Sequence, residues 1–95
     1  MKVHYYGILD NLESCYTFQG FNVDGIKLYI QNSPRFGYEP ATMKIINPAL
    51  FVEDGAGFHR FVIEDFKVDV KDGKLQISDV VLREIVEGLK QVSLK

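Results

Sequence analysis

The residues best suited to chemistry lie between Glu53 and His59. Two adjacent carboxylates, Glu53 and Asp54, with the His59 imidazole shortly after them, could form an acid/base pair or begin a metal site. A metal needs three or four ligands in a defined spacing, and His4, the other histidine, is far away in the chain. Neither a metal nor a cofactor is therefore expected. The competing reading of the same residues is a solvated turn beside a surface histidine. Gly55-Ala56-Gly57 has the small-residue composition of a phosphate cradle, but such loops work by opening a helix whose free amides face the anion. Here a strand follows and carboxylates precede, so no phosphate is expected. Cys15 has no basic neighbour to lower its thiol pKa, and no reactivity is assigned to it.

The stretch Gly57-Phe58-His59-Arg60-Phe61-Val62 is faintly similar to the aromatic strand of RNA-recognition domains, whose rings stack on bases. Its spacing differs, however, and the segment after the first strand does not read as the helix which that fold requires. Phe61 reads as core. The best contact point is the loop Arg35-Phe36-Gly37-Tyr38, set between Ser33-Pro34 and Glu39-Pro40, because Arg and aromatic residues dominate binding hot spots and loops on rigid scaffolds carry function. Arg35, Phe36, Tyr38 and His59 are thus the candidate binding residues. The competing reading folds Phe36 back over the end of the core.

Positioning these residues falls to the run from Phe58 to Ser78. Asp72-Gly73 is a two-residue hairpin signal, since a type I′ turn needs positive φ at both central positions. That register sets Val70 against Leu75 and Val68 against Ile77, with Asp69 and Gln76 on the other side; a three-residue loop would mix apolar with polar on the buried face. It also sets Lys71 against Lys74, a mildly unfavourable pair that a four-residue loop would relieve. Phe61 and Ile63 occupy odd positions and Phe66, Val68 and Val70 even ones, so a bulge or strand break is expected at Glu64-Asp65.

Earlier in the chain Lys2 to Leu9 reads as a strand, Asp10-Asn11 as a turn, and Ser14 to Val23 as a strand with a bulge at Gly20, where the apolar phase switches. A second Asp-Gly turn at Asp24-Gly25 pairs Val23 with Ile26 and Phe21 with Leu28. Thr42 to Asn47 gives a short strand ended by Pro48, Phe51-Val52 continues extended, and Glu53 to Gly57 reads as a flexible turn. After Ser78 or Asp79 as cap, Val81, Leu82, Ile85, Leu89 and Val92 form one apolar helical stripe. Gly88 lies on that stripe, and either the helix runs through it, which we favour, or it ends there and Lys90 to Lys95 return as a strand.

Ninety-five residues make one domain. A hydrophobic share of 46% with 25% charged residues is ordinary for globular proteins, which argues against disorder. The N-terminus lacks the apolar core of a signal peptide, and no stretch approaches the roughly 18 apolar residues of a membrane span. The lone cysteine forms no internal disulfide, so a cytoplasmic setting is expected. A net charge of -2 with scattered basic residues argues against nucleic acid. The expected fold is α+β, mainly β: about seven mostly antiparallel strands in a curled sheet, sandwich or partly open barrel, with one C-terminal amphipathic helix. This element order is similar to that of pleckstrin-homology-like domains, a resemblance of order alone, since the Trp common in that family's helix is missing. Function is expected to be non-catalytic protein-protein binding or assembly, with self-association through an exposed strand edge as one form of it. The alternative is a small-ligand-binding protein or enzyme with a pocket near Glu53, Asp54 and His59.

Overall fold

The computed structural model describes residues 2–12, 17–32 and 44–92. Along these the strands are β1 (Val3–Leu9), β2 (Phe18–Val23), β3 (Ile26–Gln31), β4 (Lys44–Ile46), β5 (Ala49–Asp54), β6 (Gly57–Ile63), β7 (Lys67–Lys71) and β8 (Lys74–Gln76), followed by α1 (Asp79–Lys90). The strands build two antiparallel sheets, one ordered β1-β6-β5-β3-β2 and a smaller one ordered β4-β7-β8. The larger sheet ends at β1 and β2 and does not close into a barrel.

Both Asp-Gly hairpins take the two-residue register. Val70 pairs with Leu75 and Lys71 with Lys74, while Val23 pairs with Ile26 and Phe21 with Leu28. At their tips Asp24, Gly25, Asp72 and Gly73 all have positive φ, between 50° and 85°, as type I′ turns require. The phase change at Glu64-Asp65 is a strand break. β6 ends at Ile63 in the larger sheet, Asp65 turns with φ 58°, and β7 starts at Lys67 in the smaller one.

Two expectations need correcting. The β2–β3 register runs unbroken through Gly20, so no bulge lies there. The apolar phase switches because both faces of the larger sheet hold rings: Phe18 meets Phe51 edge-on, with centroids 5.2 Å apart, on the face away from the core. The bulge sits instead in β1, between Tyr5 and Gly7. Glu53 to Gly57 is not a loose turn either, since Asp54 pairs with Gly57 and only Gly55 and Ala56 remain outside the ladder.

The core lies between the inner face of the larger sheet, the smaller sheet and the helix. Leu28, Ile30, Leu50, Phe61 and Ile63 face Ile45, Val68, Val70 and Leu75, with Leu82, Ile85, Val86 and Leu89 completing the interior. Side-chain hydrogen bonds tie the two sheets together: the Leu75 amide donates to Gln19 Oε1 at 2.9 Å and Asn32 Nδ2 donates to the Gly73 carbonyl at 3.2 Å.

Helix α1 begins where Ser78 Oγ accepts the Val81 amide at 3.3 Å, and it runs through Gly88 to Lys90. The longer helix is thus the observed one, and Lys90 and Gln91 do not return as a strand. Removing the cap with Ser78→Ala is expected to lower stability by about 1 kcal/mol. Urea unfolding would check this, and an unchanged midpoint would deny the cap its role.

Candidate functional site: a carboxylate, an imidazole and a phenol beside a cavity

Strand alternation places the site. The phase that turns Phe61 and Ile63 inward also turns His59 inward, so His59 is buried at 8% exposure rather than a surface histidine. On β5 the same alternation puts Leu50, Val52 and Asp54 on the inner side and Glu53 on the outer one. Asp54 and His59 therefore meet across the tight β5–β6 turn, and Glu53 does not join them. Its Oε1 instead accepts the Tyr29 hydroxyl at 2.9 Å, a bond that raises the Tyr29 pKa above its usual 10.0, with burial adding to the effect.

Asp54 Oδ2 lies 2.6 Å from His59 Nε2, and Tyr5 Oη lies 3.0 Å from His59 Nδ1. With the ring proton on Nε2, the imidazole donates to Asp54 and accepts the Tyr5 hydroxyl at Nδ1. Asp54 Oδ1 accepts the Ala56 amide at 2.8 Å. This amide bond, with the His59 contact second among the favourable causes, holds the Asp54 carboxyl below the usual carboxylate range. A depressed carboxyl contributes stability that is present above the unfolded pKa and is lost as pH falls through the lower folded one. The stability gap between the wild type and Asp54→Asn should therefore narrow as pH drops below about 3.8. A gap independent of pH in that range would show that the carboxylate is not specifically held.

Carboxylate, imidazole and hydroxyl in series is an arrangement that can activate a hydroxyl. Here the hydroxyl in the series is that of Tyr5, and both ring nitrogens of His59 are engaged, Nε2 by Asp54 and Nδ1 by Tyr5. What the chain of bonds does is fix the polar wall of a cavity. Asp54 and His59 line a half-open space of about 130 Å³ together with Ile26, Val52 and Phe61 from the sheet and Val86, Leu89 and Lys90 from α1. The Lys90 ammonium lies 3.5 Å from Glu87 Oε1. Among the described residues, no three His, Cys, Asp or Glu side chains gather as a metal would require.

Of the residues singled out from sequence, His59 and Asp54 are brought together and Glu53 is separated from them. Arg35, Phe36, Tyr38 and Cys15 lie outside the described residues. Tyr5 was missed. It reaches His59 only because β1 pairs with β6, placing Tyr5 opposite Phe61, and its ring sits 5.2 Å from the Phe61 ring and 5.8 Å from His59. Comparison with protein-family models, with curated proteins and with solved structures finds no match.

Proposed function

We propose that the chain is a non-catalytic binding protein for a small, mainly apolar molecule, received between the inner face of the larger sheet and the last turns of α1. The observation that carries this reading is that Asp54 and His59, 2.6 Å apart, open onto the same apolar cavity. Few, convergent polar groups in an apolar hollow are the usual composition of a ligand site. The space is small, close to the roughly 150 Å³ of an engineered apolar cavity that takes benzene, which sets the size of the occupant. Titration with toluene, followed by the methyl signals of Val52, Val86 and Leu89, should give saturable shifts. Val86→Phe, which fills the space, should abolish them. Shifts that survive the filling, or none in the wild type, would count against the reading.

Protein binding or self-assembly is the second reading. Tyr6 and Ile8 are exposed on β1, which ends the larger sheet, and the Arg60 guanidinium lies 5.7 Å from the Tyr6 ring centroid. Arg and Tyr are hot-spot types. Against this stands the bulge between Tyr5 and Gly7, because a bulged edge breaks the ladder that an added strand must follow. Sedimentation at rising concentration separates the two. A strict monomer removes the self-assembly form.

A further inference from the structure

The cavity's electrostatics are one-sided. Of its two charged residues, Lys90 has its ammonium paired with Glu87 at 3.5 Å, and Glu87 does not itself line the space. Asp54 is different. Its side chain is 48% exposed; Oδ1 accepts the Ala56 amide, Oδ2 meets the His59 ring, and the Gly57 amide adds a weaker third bond. An ionised carboxylate has about four lone-pair sites, so the group keeps acceptor capacity. Val86, Leu89 and Lys90, from the last two turns of α1, adjoin the same space.

We propose that the molecule the cavity selects is a small amine: one ammonium group on an apolar body no larger than about a single aromatic ring. The body fills the space between Val52, Phe61, Val86 and Leu89, and the ammonium hydrogen-bonds the Asp54 carboxylate at the mouth. The Ala56 amide and His59 Nε2 aim that carboxylate, so the partner's charge meets a fixed acceptor rather than a mobile side chain. Selection against an anion follows from the same carboxylate, which would face it with like charge.

This inference rests on the cavity being a ligand site, and a three-probe titration separates the two claims. Benzylamine, toluene and benzoate share a ring and differ in the charge they carry. At neutral pH and low salt, benzylamine is expected to shift the Val86 and Leu89 methyl signals with an affinity at least tenfold above that of toluene, and benzoate is expected to bind more weakly than either. Raising the salt should erode the benzylamine advantage, because the charge pair is partly exposed. Asp54→Asn should reduce benzylamine affinity at least tenfold, and Asp54→Glu should restore part of it. Toluene binding as tightly as benzylamine, or benzoate binding tightest, overturns the amine inference and leaves the cavity reading standing. No shift with any of the three overturns both.

Discussion

Leu50→Ala is expected to lower the unfolding free energy by about 3 to 5 kcal/mol, the largest effect of any single truncation proposed for this chain. Leu50 has no exposed surface, and its strand β5 lies between β3 and β6, where it pairs with Ile30 and Phe61. The lost methyl groups leave a hole at the centre of the larger sheet that paired neighbours on both sides cannot close. Small proteins are stable by roughly 5 to 15 kcal/mol in all, so the variant should melt about 12 to 40 °C lower, at about 4 to 8 °C per kcal/mol. Val80→Ala provides the contrast, because Val80 is 66% exposed on α1 and should change stability by less than about 0.5 kcal/mol. Equal losses from the two variants would mean that the interior does not lie where the strands put it.

Gly57→Ala should cost about 3 kcal/mol or more, and it should act on the site as well as on stability. Gly57 has φ 136°, which L residues rarely adopt, and a methyl group there would stand 2.6 Å from the Leu9 carbonyl oxygen. Relief requires either β1 to part from β6, where Leu9 pairs with Phe58, or the β5–β6 turn to change shape. The first movement draws Tyr5 from His59 and the second draws Asp54 from it. The nuclear Overhauser contact between the Tyr5 and His59 rings should then weaken along with the melting temperature. Gly25→Ala is the matched control. Its φ is also positive, at 85°, but a methyl there meets nothing within 4 Å, so only the left-handed conformation is penalised, by about 1 to 2 kcal/mol. If Gly57→Ala cost no more than Gly25→Ala, the close approach of β1 to the turn would be refuted.

What could be read from the sequence is what neighbouring residues decide among themselves. Asp24-Gly25 and Asp72-Gly73 set their own turn type and with it the pairing of Val23 with Ile26 and Val70 with Leu75. Ser78 and the stripe from Leu82 to Leu89 mark the helix in the same local way. The Asp54–His59 contact was half legible. The odd-position phase shared with Phe61 and Ile63 already turned His59 inward, but Gly55-Ala56 is a weak turn signal and hid the tight pairing that brings Asp54 to His59 Nε2.

The rest depends on chain segments that meet only after folding. Tyr5 and His59 are 54 positions apart, and nothing near Tyr5 announces that β1 lies beside β6. The phase switch at Gly20 misled because a bulge and a sheet covered on both faces leave the same mark on the sequence. Phe18 packing on Phe51 is what decides between them. A Gly inside a strand does often mark a bulge, and among the described residues Gly7 stands at one.

Xenon offers the most direct measurement, because it enters apolar cavities without needing a polar partner. Diffraction from a crystal held under xenon pressure should show the atom between Val52, Val86 and Leu89, against the His59 ring and with Asp54 still in contact with it. A space closed by side chains, or left without xenon while other apolar hollows fill, would contradict the proposed ligand site.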